Sequence, residues 1–125
     1  MSSVEVVRSI YDSWARDEQP ADLYDPDIEW SLPHPGGKVR GREELLAFLR
    51  SFMGAWDEHE IQVEELRELD DGRVLALFTE RATGRLSGVE TEAHVAAIWS
   101  LQDGRVVHFE GFGDRDEALR VAGVA

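Results

Sequence analysis

Three side chains in this sequence could do acid–base chemistry, namely Glu80, Tyr11 and His34. Glu80 lies in the strand-like run VLALFTERA and shares a face with Phe78 and Ala82, because successive strand side chains alternate. A carboxylate set among aromatic rings loses water. That disfavours its charged form and suits a general acid or base. The same residue could instead sit solvated at a cavity mouth, or pair with an arginine. Tyr11 falls on the apolar stripe of a helix. It could donate to a ligand oxygen, or satisfy its hydroxyl within the core. His34 lies between Pro33 and Pro35 at the end of a strand. An imidazole there could act as acid, base or hydrogen-bond partner near neutral pH, or simply be a solvated loop residue.

The remaining histidines carry less. His94 and His108 could make a metal pair with Glu92 or Glu110, but the spacing matches no metal motif. Polar residues on an outer sheet face read better. His59 opens a strand and carries no visible signal. Cysteine is absent, which excludes disulfides, thiolate catalysis and cysteine-based zinc sites. Neither a metal nor another cofactor is expected.

These side chains need elements to hold them. The stretch from Asp25 to Trp56 supplies the clearest pattern. Ile28, Trp30 and Leu32 alternate with Glu29 and Ser31, predicting a half-buried strand over residues 28–32 that Pro33 and Pro35 terminate. Gly36 and Gly37 allow a turn. Leu45, Phe48, Leu49, Phe52 and Trp56 then recur at helical spacing, and Glu43 and Glu44 suit the first turn, so a helix is expected over residues 42–56. Upstream, Ser2 and Glu5 resemble a capping box for a first helix through residue 15, with Val4, Val7, Tyr11 and Trp14 on one stripe. Pro20 fits the start of a short helical turn that Asp25-Pro26 ends.

Four strands follow, at about residues 60–69, 73–82, 90–101 and 105–113. Asp71-Gly72 and Asp103-Gly104 are hairpin signals between them. The apolar phase slips after Val63, which predicts a bulge near Glu64-Glu65. Residues 74–78 are apolar on both faces, so both should be covered. A short helix, started by Asp114, ends the chain. Helices gathered before an antiparallel sheet imply an α+β domain, and a strongly bent sheet around helices leaves a conical cavity.

The bulk properties fit one domain over residues 1–125, with 42% hydrophobic and 31% charged residues. A formal net charge of −13 makes nucleic acid and anionic membranes poor partners. No apolar run is long enough to span a bilayer and no signal peptide is visible, so a cytoplasmic location is expected.

Tyr11 with Trp14, then DPDIEW, GREELLAF and the final GRVVHFEGFGD, resemble the NTF2-like superfamily and its SnoaL-like branch over nearly the whole chain. The resemblance implies a cone in which a bent, mixed but mainly antiparallel sheet wraps around three to four helices. These motifs mark a fold and not a reaction, since the superfamily holds isomerases, cyclases, epoxide hydrolases, dehydratases and non-catalytic proteins. Registration on the ketosteroid isomerases places their catalytic Asp at Leu32 and their oxyanion-donating Asp near Ala97, which argues against that mechanism here. Only their helix-one tyrosine has a counterpart, at Tyr11. The Asp-Arg-Asp set of limonene epoxide hydrolases has no counterpart with inward parity. The same registration turns the Glu80 face into the cavity.

Trp14, Trp30, Phe48 and Phe52 are expected to point inward, as are Phe78, Trp99 and Phe109. Leu32, Ala97 and Gly111 would complete the wall, with Gly111 removing bulk. Some of these rings must fill core, but the set suits a small, flat hydrophobic molecule. Two readings follow. One is a pocket with proton-transfer chemistry of isomerase, cyclase or dehydratase type, using Glu80, Tyr11 and His34. The other is a non-catalytic ligand-binding or dimerisation module. In either case a homodimer through the outer sheet face is expected, on the strength of the doubly apolar run 74–78.

Overall fold

The computed structural model describes residues 2–33, 36–54 and 56–124, with backbone only at residues 53, 56 and 57. His34 therefore lies outside the described residues. The chain begins with α1 (Ser3–Ala15) and a single 3-10 turn (Ala21–Leu23). Strand β1 (Tyr24–Ser31), the short β2 (Lys38–Arg40) and α2 (Arg42–Gly54) follow. Four long strands come next: β3 (Trp56–Glu68), β4 (Val74–Gly84), β5 (Glu90–Gln102) and β6 (Arg105–Phe112). Helix α3 (Arg115–Ala122) closes the fold. The strands form one open sheet in the order β2-β1-β6-β5-β4-β3. Only β1 and β6 run parallel, so the sheet is mixed. No helix among the described residues is long and apolar enough to cross a membrane.

Local chemistry explains most boundaries. Ser2 caps α1 by accepting from the Glu5 N–H at 3.2 Å. Glu5 does not complete the box on the backbone. Its carboxylate accepts from the Ser2 hydroxyl instead, at 3.1 Å. Helix α2 starts at Arg42 as its pattern requires but stops at Gly54, and the backbone at residue 56 already belongs to β3, paired with Gly84 of β4. A strand four residues longer at its start than the apolar alternation marks is the result. The expected bulge in β3 is present, as a register shift between Val63 and Glu65. At the β5–β6 turn, Asp103 and Gly104 both adopt positive φ (54° and 80°), the geometry of the tight hairpin their sequence announces.

The sheet divides two clusters. On its concave face, Val6, Val7, Ile10 and Tyr11 of α1 and Leu45 and Leu49 of α2 pack with Trp30, Phe78, Trp99 and Phe109. On its convex face, Leu75, Ile98, Ala96 and Phe112 pack under Ala118 and Ala122 of α3. This second cluster corrects the argument for a dimer. On the outer side of the run 74–78 the chain's own α3 cluster leaves Leu75 fully buried and Leu77 half-buried, which accounts for apolar residues there without a partner chain.

Candidate functional site

A cavity of about 440 Å³ opens between the concave face of the sheet and the two long helices. The ring layer on which it rests follows from strand register. Trp30 of β1 is the Cα partner of Phe109 of β6, and Phe109 is the partner of Trp99 of β5. One row of rings therefore crosses three strands. Trp30 and Phe109 stack at 3.9 Å and 12°, and Trp99 meets Phe109 edge-on at 4.7 Å. Gly111 is two residues further along β6, on the same face. A Cβ there would lie 3.2 Å from Leu32 Cδ2, so the missing side chain is what admits Leu32 to the wall.

Of the expected lining, Trp14, Trp30, Leu32, Phe48, Phe52, Phe78, Phe109 and Gly111 border the cavity, as do Tyr11 and Glu80. Ala97 and Trp99 do not. Both are fully buried in the core beside the cavity. Their parity was read correctly, but they sit too deep. Trp99 has another task, since its Nε1–H donates to the Tyr11 hydroxyl oxygen at 3.2 Å. Among the described residues the Tyr11 hydroxyl has no other hydrogen-bond partner, so its proton is available to a ligand. Burial, and to a smaller degree the charge of Glu80, push the Tyr11 pKa well above its ordinary value, although the Trp99 bond acts the other way. The hydroxyl therefore stays a donor at neutral pH.

Glu80 is not isolated among aromatics. Its Oε1 lies 2.7 Å from Nε2 of His59, whose side chain is only 6% exposed against 29% for Glu80. Register explains the contact. Ile61 is the partner of Glu80 and His59 the partner of Ala82, so His59 and Glu80 are diagonal neighbours on the inner face of the β3–β4 ladder. The Phe52 ring stands edge-on to the imidazole at 5.6 Å and holds it from the α2 side. Both His59 and Glu80 line the cavity. Sequence reasoning missed His59, although the signal existed. Ile61 and Val63 point inward, and carrying their alternation back two residues makes His59 inward as well.

Gln19 and Asp17, from the segment after α1, and Glu60 of β3 complete the polar part of the lining. Among the described residues, no lysine or arginine lines the cavity. A polar cleft on the far side of His59 is bordered by Asp17, Glu58, Glu60, Glu90 and Glu92, against the single arginine Arg81. That arginine is bound to Glu92 at 2.9 Å.

The outer histidines do not converge. His94 partners Thr79, whereas His108 partners Ser100, six residues further along β5. No group of three potential metal ligands occurs among the described residues. His94 Nδ1 instead lies 2.9 Å from the Thr79 hydroxyl, which donates to Glu64.

Comparison with known proteins adds the family. The SnoaL-like domain family matches residues 7–109. No curated protein matches. Among solved structures, an NTF2-like protein of unknown function from Burkholderia pseudomallei K96243 is 27% identical, with a TM-score of 0.80 and 98% of each chain covered. TerC, co-crystallised with polyporic acid, is 19% identical, with a TM-score of 0.74 over 96% of this chain and 97% of its own. A proposed SnoaL-like polyketide cyclase from Jannaschia sp. CCS1 is 20% identical, with a TM-score of 0.76 over 98% of this chain and 91% of its own. At such identities the last two relate to this chain by fold.

Proposed function

This chain belongs to the SnoaL-like family, and on that footing we propose that it binds a flat, mostly apolar carbonyl compound and moves a proton on it. The observation that carries this reading is the His59–Glu80 pair, 2.7 Å apart on the wall of a mostly apolar cavity. Two fold relatives are in keeping with a small-molecule ligand, one crystallised with polyporic acid and one a proposed polyketide cyclase.

The chemistry the set fits is abstraction of a proton next to a carbonyl. With Glu80 ionised, His59 Nε2–H donates to Oε1 and leaves Oε2 to accept the ligand's C–H proton. The electron pair left on carbon moves onto the carbonyl oxygen. Tyr11, its own oxygen occupied by Trp99, donates its hydroxyl proton to that oxygen as a hydrogen bond. Returning the proton at another carbon isomerises the ligand. Attack of the carbon on a second carbonyl closes a ring, the new alkoxide oxygen taking the proton back from Glu80, and loss of a neighbouring hydroxyl, protonated by Glu80, dehydrates the ligand. The aromatic walls position the ligand by stacking and exclude water, which strengthens each polar contact.

The test is a thermal-shift panel of steroids, polyketide-like aromatics and terpenoid epoxides, run on the wild type and on Glu80→Gln. Native-state binding raises the melting temperature by mass action. The reading expects a shift of several degrees for one class, and turnover of that class by the wild type alone. Equal turnover by Glu80→Gln would remove the proton-transfer role. No shift across the panel would remove the binding role.

A further inference from the structure

A second Trp–Tyr chain runs beside the cavity, and it ends on a side chain that has no part in the proton transfer. Trp14 Nε1 lies 3.1 Å from the Tyr24 hydroxyl oxygen, and the Tyr24 hydroxyl lies 3.3 Å from Gln19 Oε1. The direction of both bonds is forced. An indole N–H can only donate, so Tyr24 accepts from Trp14. Tyr24 is fully buried, and burial raises its pKa well above the ordinary tyrosine value, so the hydroxyl keeps its proton. That proton goes to Gln19 Oε1, its acceptor among the described residues. The carbonyl end of the Gln19 amide is thereby committed to Tyr24. Its NH₂ end has no partner among the described residues, and Gln19 lines the cavity at its open side, beside Asp17.

We infer that Gln19, oriented by Tyr24, is a specificity-determining residue that donates its amide N–H to a carbonyl oxygen on the outer edge of the bound ligand. The inference rests on the carbonyl-ligand reading above and extends it. Tyr11 serves the reacting oxygen, while Gln19 reads an oxygen at the mouth. The ligand this selects is neutral. Asp17, Glu60 and Glu80 line the cavity with no lysine or arginine to balance them, so a carboxylate or phosphate would meet like charge.

The sequence supplies an unusually clean probe. It contains no asparagine and only three glutamines, Gln19, Gln62 and Gln102, so an amide-region ¹⁵N–¹H spectrum holds three side-chain NH₂ pairs. The Gln19 pair is assigned by its loss in Gln19→Leu. The spectrum is then followed during titration with 9-fluorenone and, separately, with fluorene, which has the same shape without the oxygen. Because Tyr11 competes for a single carbonyl, the titrations are run on the wild type and on Tyr11→Phe. The inference expects the Gln19 pair to move downfield with fluorenone and not with fluorene, most clearly in Tyr11→Phe. Gln62 and Gln102 should stay still. In Tyr24→Phe, which does not touch the cavity, the difference between the probes should vanish while fluorene still perturbs cavity amides such as Ile61 and Gly111. If fluorenone perturbs those backbone amides in Tyr11→Phe but leaves the Gln19 pair unmoved, the Gln19 role is overturned and the binding reading stands. If neither probe perturbs any cavity amide, both fall together.

Discussion

His59 Nε2 and Glu80 Oε1 lie 2.7 Å apart, joined diagonally across the first two of four consecutive antiparallel strands. Neither residue is placed by a loop. Each is fixed by ladder register and by one neighbour, Phe52 against His59 and Ile61 opposite Glu80. A pair held on strands is positioned more tightly than one on loops, which proton transfer requires.

If the pair acts as a unit, its two members should not contribute independently. Glu80→Gln and His59→Gln should each lower turnover about 100-fold or more, the usual worth of a general acid–base group. The double variant should lose little beyond either single one. Steady-state kinetics on the four proteins checks this. Additive losses would mean that the residues act separately.

The Trp99–Tyr11 bond should be visible as stability. Tyr11→Phe leaves the Trp99 N–H buried without its acceptor, at a cost of about 1–3 kcal/mol. Trp99→Phe removes the donor and part of the ring from a fully buried site and should also destabilise, through the cavity it leaves. Urea denaturation followed by far-ultraviolet circular dichroism measures both.

Much of this arrangement was legible beforehand, and the exceptions have physical causes. The α2 stripe, the β3 bulge and the Asp-Gly hairpins were each readable because a single local rule governs them. Strand β1 begins at Tyr24, earlier than expected, because Asp25 and Pro26 fall where its register against β6 shifts, between Tyr24 and Glu29. A proline is tolerated there since no regular ladder needs its N–H. Strand β2 spans three residues, too short for alternation to register. Parity turned Trp99 inward correctly, yet parity cannot say how far along a strand the core ends and the cavity begins. The same parity would have found His59, had the strand been extended back past Glu60.

Helix α3 is expected to be an integral part of the core. Leu75 is fully buried among Ile98, Phe112, Ala118 and Ala122, so Leu75→Ala should cost about 2–5 kcal/mol. Chemical denaturation gives the value. A loss below about 1 kcal/mol would mean that α3 is only loosely docked.

Arg115, at the start of α3, ties that helix to the sheet. It donates to the backbone oxygens of Phe78 and Val95 and to Glu64 at 2.7 Å. Its hydrogen bond, with a further one from Thr79, holds the Glu64 carboxyl below the ordinary carboxylate range. A depressed folded-state pKa adds stability that is complete above the unfolded value and disappears as the pH falls through the folded one. The wild type should therefore exceed Glu64→Gln in stability at about pH 7, and the gap should be smaller at about pH 3. Urea midpoints at the two pH values test the sign.

Abstraction of a proton beside a carbonyl can be followed by isotope exchange without knowledge of the natural substrate. The measurement is exchange of the activated C–H protons of 2-tetralone in D₂O, followed by proton NMR with wild type, Glu80→Gln and buffer alone. Exchange should be faster with wild type than with Glu80→Gln by about 100-fold or more, the worth of the general base. Tetralone that binds the wild-type cavity yet exchanges at the buffer rate would contradict it.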